Sequence, residues 1–135
     1  MKVFIRKCFL FCSICILVLC VTSCAYRARP INDISHDVPA NLELNQVREG
    51  IYNGIVKSKC NVSESEKGLR ATCPPRNNLT IEIQYNTKKY TVSFIEANGF
   101  NYDRDNQTIH TKYYRKVRNI TDAINGELKR LALEL

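Results

Sequence analysis

The stretch from Leu79 to Ile95 constrains the fold more than any other part of the chain. Leu79, Ile81, Ile83 and Tyr85 alternate with Thr80, Glu82 and Gln84; beyond Asn86-Thr87-Lys88-Lys89, Tyr90, Val92 and Phe94 alternate with Thr91, Ser93 and Ile95. Successive strand side chains point to opposite faces, so two such runs around a polar turn predict an antiparallel hairpin with one apolar face. This turn puts Ile83 opposite Val92 and Ile81 opposite Phe94. A sheet apolar on one side needs covering on that side only.

Two helices are expected to supply the cover. Leu44, Val47, Ile51 and Ile55 recur at spacings of three and four and predict a helix over 44–57, with Asn41 or Asn45 as its cap. Gly50 and Gly54 weaken it intrinsically and would let it lie close to a sheet. Ile109, Tyr113, Val117, Ile120, Ile124, Leu128 and Leu131 hold the same spacing over a longer run. Thr108 is its expected N-cap, and Lys129 and Arg130 suit the negative end of its dipole. Glu96 to Gln107, rich in Asn, Asp and Gly, is expected to be an irregular loop. The expected fold is therefore α+β: a two-layer sandwich ordered helix, four antiparallel strands, helix, with both helices on one face of the sheet.

The other two strands come from cysteine arithmetic. Glu66-Lys67-Gly68 is a turn signal, and a hairpin centred there sets residue 60 opposite 73, 62 opposite 71 and 64 opposite 69. Cys60, Val62, Leu69, Ala71 and Cys73 then share a face. Opposed cysteines on paired strands are close enough to bridge, so a Cys60–Cys73 disulfide is expected in an oxidising compartment. Cys73-Pro74-Pro75 ends the strand, because proline cannot donate to a ladder.

That compartment is read from the amino terminus. Lys2, Arg6 and Lys7 precede an apolar run, Cys8 to Val21, of about 14 residues, which is short for a membrane span and suits a secretory signal peptide. The run ends in Val21-Thr22-Ser23-Cys24, which resembles a bacterial lipobox: an aliphatic residue and two small ones before the cysteine that receives diacylglycerol. Residues 1–23 are thus expected to be a lipoprotein signal peptide, 24–41 a lipidated tether containing Pro30 and Pro39, and 42–135 a single domain. Ala25, rather than Asp, follows the cysteine; by resemblance to enterobacterial lipoproteins this favours the outer membrane. Without the three basic residues of the leader, the formal charge falls from +7 to +4. So mild a balance, in an exported chain, argues against a nucleic-acid partner. Four Asn-x-Ser/Thr triplets begin at Asn61, Asn78, Asn106 and Asn119; they would matter as glycan acceptors only in a secreted eukaryotic protein, and a secreted chain without lipid is the rival reading.

The carboxy half carries a further resemblance. Ile81-Glu82-Ile83-Gln84-Tyr85, Tyr90-Thr91-Val92-Ser93-Phe94, Asn101-Tyr102-Asp103, and Ile109-His110 with Tyr113 together resemble a family of small uncharacterised proteobacterial lipoproteins. The resemblance spans about Val47 to Leu131; Tyr114 and Val117 stand where that family often has Asn and Trp. It implies a lipobox, an amino-terminal helix, two hairpins and an Ile-His-x-x-Tyr helix start, and it implies no activity.

The chemistry offered by the remaining residues is sparse. Ser58, Ser63, Ser65 and Ser93 lie in no nucleophile elbow, no glycine-rich phosphate loop occurs, and no CxxC-like spacing suggests a metal. No cofactor is expected, and the chain reads as non-enzymatic. Tyr102, Asp103, His110 and Tyr113 form the candidate contact or ligand site: either a small polar, ligand-binding or hydrolytic site, or a histidine that pins the loop to the helix. Asp103 and Asp105 suit turn positions. Lys112, Arg115, Lys116 and Arg118 form a basic stripe beside the apolar face, suited to anionic lipid, lipopolysaccharide or an acidic partner, or simply to solvent. The expected function is a lipid-anchored envelope protein that contacts another envelope protein or polymer through the loop and the helix start.

Overall fold

The computed structural model describes residues 28–74 and 78–135; the leader, Cys24 and Pro75 lie outside these described residues. In chain order they form β1 (Ala28–Pro30), β2 (Ile34–Asp37), α1 (Leu44–Lys57), β3 (Asn61–Ser65), β4 (Gly68–Cys73), β5 (Asn78–Tyr85), β6 (Lys89–Asn98), β7 (Thr108–His110) and α2 (Lys112–Leu133). The strands make a five-stranded antiparallel sheet, ordered β2-β6-β5-β4-β3, and a separate two-stranded ribbon, β1-β7. The fold is α+β.

Both predicted hairpins are present in the predicted register. Ile81 pairs with Phe94 and Ile83 with Val92, while Val62 pairs with Ala71 and Glu64 with Leu69. The Asn86 side chain fixes the β5–β6 turn by accepting from the amides of Lys88 (2.8 Å) and Lys89 (2.9 Å). At the other turn Ser65 Oγ accepts from Gly68 N–H at 3.1 Å. Cys60 and Cys73 are joined by a disulfide, with their Cα atoms 4.3 Å apart and both residues in the core. A bulge opposite Thr80 and Ile81 leaves Ile95 without a partner. The extra residue reverses the alternation, so Ile95 is exposed and Ala97 turns inward.

One core joins the inner sheet face to both helices. Leu69, Leu79, Ile81, Ile83, Tyr90 and Val92 meet Val47, Ile51 and Ile55 of α1 and Tyr113, Val117, Ile120, Ile124 and Leu128 of α2, all wholly buried. The ends of α1 are as predicted, but its cap is not: Asn41 has a positive φ of 72° and belongs to the preceding turn. Glu43 is the N-cap, and its amide donates to Gln46 Oε1 at 2.8 Å. Asn45, inside the first turn, accepts from Gln46 N–H at 2.9 Å. Gly50 and Gly54 face α2 rather than the sheet: a Cβ on Gly54 would lie 2.5 Å from Ile124 Cα, and one on Gly50 would lie 2.5 Å from Leu128 Cδ2. The glycines set the distance between the helices.

Three segments correct the expectation. The residues read as the greater part of a tether supply β1 and β2. Ile34 pairs with Val92 and His36 with Tyr90, and His36 stacks on the Tyr90 ring at 5.3 Å, so the segment covers an edge of β6. A four-residue strand carries too little periodicity to be seen in sequence, and its partner lies more than fifty residues away. Next, β6 extends through Asn98, into what was expected to be loop. Finally, α2 begins at Lys112 with Thr111 as N-cap, not after Thr108. Ile109 sits four residues before Tyr113, which mimics helical spacing, but it is buried from a strand paired with Arg29.

Candidate functional site

The segment from Gly99 to Thr111 is held by its own backbone geometry. Phe100, Asn101 and Gln107 all have positive φ, which reverses the chain between β6 and β7. Asp103 closes the tip: its backbone exchanges hydrogen bonds with Thr108 (N to O, 2.9 and 3.2 Å). Its carboxylate accepts from Asp105 N–H (3.0 Å), Asn106 N–H (3.2 Å) and Asn106 Nδ2 (2.7 Å). The Asn106 side chain, and then the backbone amides, hold this carboxyl below the usual range. All of Asp103's close hydrogen bonds thus stay within the turn.

His110 lies in β7, not in the helix. Its amide donates to Phe100 O at 2.7 Å, and its Nδ1 accepts from Lys112 N–H at 3.0 Å. The imidazole therefore satisfies the first amide of α2, a capping role, and Nδ1 must be the unprotonated ring nitrogen. Tyr113 is wholly buried, and burial raises its phenol well above the ordinary value. Its ring meets Phe94 (5.6 Å), Tyr114 (4.9 Å) and Phe100 (6.5 Å), and Tyr102 packs on the other contact of Phe94 at 4.8 Å. Phe94 thus draws Tyr102 and Tyr113 into one aromatic cluster. Tyr113 Oη has no hydrogen-bond partner among the described residues. Among the described residues, Tyr102, Asp103, His110 and Tyr113 share no side-chain hydrogen bond with one another; Tyr102 and Tyr113 meet only through Phe94, and Asp103 and His110 are engaged by other neighbours.

The basic stripe is where it was expected. Lys112, Arg115 and Arg118 are exposed and Lys116 is half-buried, all in the first two turns of α2. Among the described residues none of the four has an ion-pair partner, whereas Arg48 pairs with Glu64, Lys57 and Arg130 with Glu127, and Arg70 with Glu82. Arg29 of β1, exposed and opposite Ile109, is a further cation on the ribbon that leads into α2. Sequence reading gave Arg29 no role, because nothing local marks Ala28-Arg29-Pro30 as a strand. It also missed Tyr114, whose hydroxyl donates to Pro30 O and accepts from Asn32 N–H, fastening the start of the described chain to α2.

Elsewhere, an open concavity lies on the solvent side of the sheet, lined by Glu64, Lys67, Arg70, Glu82 and Ile95; it includes none of the candidate site residues. Among the described residues, no group of three His, Cys, Asp or Glu side chains is placed to share a metal ion. No helix among them is long and apolar enough to cross a membrane. Compared with protein-family models, curated proteins and solved structures, the chain matches none.

Proposed function

We propose that the protein is a non-enzymatic lipoprotein of a bacterial cell envelope, anchored by acylation of Cys24, whose α+β domain contacts another envelope component at the membrane surface. The observation that carries this reading is Val21-Thr22-Ser23-Cys24 at the end of a basic-then-apolar leader. The bond between Cys60 and Cys73 supports it: of the three cysteines that follow the leader, those two are joined, and Cys24 is the one that remains for acylation. A disulfide also suits an exported chain. The resemblance of the carboxy half to small proteobacterial lipoproteins points the same way, and Ala25 favours the outer membrane. The turn role of Asp103 and the capping role of His110 account for two candidate site residues by folding alone. The contact surface is then the Gly99–Gln107 loop with the start of α2.

Metabolic labelling with a fatty acid tests the anchor. Wild-type chain takes up label, and Cys24→Ala takes up none. A wild-type chain without label overturns the reading.

A further inference from the structure

We propose that the β1–β7 ribbon and the first two turns of α2 form a docking surface for anionic phospholipid headgroups, which lays Arg29, Lys112, Arg115, Lys116 and Arg118 on the bilayer; the choice of a membrane as partner rests on acylation of Cys24. The argument begins with chain length. Ala28 is already paired, opposite His110, two residues before α2 begins. Three residues, and so four Cα–Cα steps, separate Ala28 from Cys24. Fully extended, they span at most about 14 Å. A lipid on Cys24 therefore keeps this end of the domain near the headgroups, too close for the long spacer that a tether through residue 41 would give. The opposite end of α2 is far away, since 22 helical residues measure about 33 Å.

Charge singles out the same end. Four cations occupy Lys112 to Arg118, with no acidic residue in the first turn; Asp122 is the first carboxylate along the helix. Cations at a helix N-terminus oppose the dipole, so they do not serve the stability of α2. Among the described residues they also have no ion partners, unlike Arg48, Lys57, Arg70 and Arg130. Anionic headgroups supply the missing counter-charge, and the attraction falls off within about one Debye length, a distance the short connection permits. Arg27, in the connection itself, adds one more positive charge to this end of the sequence.

The test uses the full chain as purified from membranes, reconstituted into vesicles of phosphatidylcholine alone or with one third phosphatidylglycerol. Flotation with neutral vesicles reads the anchor, and amide hydrogen exchange of residues 112–118 reads docking. In anionic vesicles these amides exchange at least about fivefold more slowly than in neutral ones, the equivalent of one engaged cation. High salt or Arg115→Glu with Arg118→Glu abolishes the difference, and Lys129→Glu, at the distal end of the helix, leaves it intact. A chain that floats with neutral vesicles but shows equal exchange in both lipids overturns the docking surface and leaves the anchor standing. A chain that floats only with anionic vesicles, and loses this in the charge-reversed variant, supports the docking surface and removes the anchor. Slowing produced by lipid-free envelope protein and not by anionic vesicles overturns the proposal in favour of an acidic protein partner.

Discussion

Glu127 shows how this small core admits a charge. It is 3 % exposed, within a helix face otherwise made of Ile124, Leu128 and Leu131. Lys57, at the end of α1, donates to one carboxylate oxygen, and Arg130 Nε and Nη2 donate to the other at 3.2 and 3.0 Å. The Lys57 bond, then that of Arg130, draw the carboxyl below its ordinary value against the opposing effect of burial. A carboxylate lowered in the native state adds stability above its unfolded value, near about 4.3, and the contribution is lost as pH falls through the lower native value. Glu127→Gln should therefore cost about 1–3 kcal/mol near neutrality, and the deficit should shrink in acid, where the wild-type carboxyl is protonated too. Urea denaturation at both pH values measures this, and an equal deficit at each would refute it. His110 makes a simpler case. Its Nδ1 caps α2, so His110→Ala should lose about 1 kcal/mol, as for other caps, with the fold retained by circular dichroism.

At the scale of elements, the two helices are spaced by two glycines of unequal consequence. A methyl on Gly50 meets Leu128 Cδ2, the mobile tip of a side chain, whereas one on Gly54 meets the backbone N and Cα of Ile124. Gly50→Ala should be close to neutral, because repacking offsets a gain in helix propensity of up to about 1 kcal/mol. Gly54→Ala should cost about 1–3 kcal/mol, because a helix axis must shift. Chemical denaturation of both variants decides it, and a harmless Gly54→Ala would mean that the helices are not packed this closely. The glycines were visible in the sequence, but the surface they face was not, since either a sheet or a helix can use a missing Cβ. The same division runs through the fold. The hairpins were legible with their registers because period-two alternation flanks turns whose residues dictate the pairing, as Asn86 does. The strands β1, β2 and β7 were not, because three or four residues carry no usable period and their partners lie far along the chain: Ala28 with His110, Ile34 with Val92. The helix start was misplaced because Ile109 and Tyr113 satisfy helical spacing from two different elements. In the candidate site, composition identified Asp103 as a turn former, whereas the role of His110 depended on where one ring nitrogen points.

At the scale of the whole molecule, the disulfide links a local closure to global stability. Cys60 immediately precedes β3 and Cys73 ends β4, so the bond closes the open end of that hairpin. The two residues are 5 % and 2 % exposed and lie in the same core as Ile55 and Leu79, so the bond anchors the edge of the sheet beneath the helices. Thirteen residues separate them in sequence, and a loop of that size is worth about 3 kcal/mol through the restriction of the unfolded chain. Domains of this size have only about 5–15 kcal/mol of net stability, so the bond carries a large share of it. Replacing both cysteines by alanine avoids burying new hydroxyl groups, and should lower Tm by on the order of 10–20 °C while leaving a cooperative transition. Because the sulfurs are buried, a thiol reductant should reach the wild-type bond only through global opening, so reduction should accelerate with denaturant in step with unfolding. An unchanged Tm in the double alanine variant, or reduction at a rate indifferent to denaturant, would show that the bond does not restrain the native protein. The same chain would then have to hold the edge of its sheet by side-chain packing and by the Arg48–Glu64 pair, which solvent screening leaves weak because both side chains are exposed.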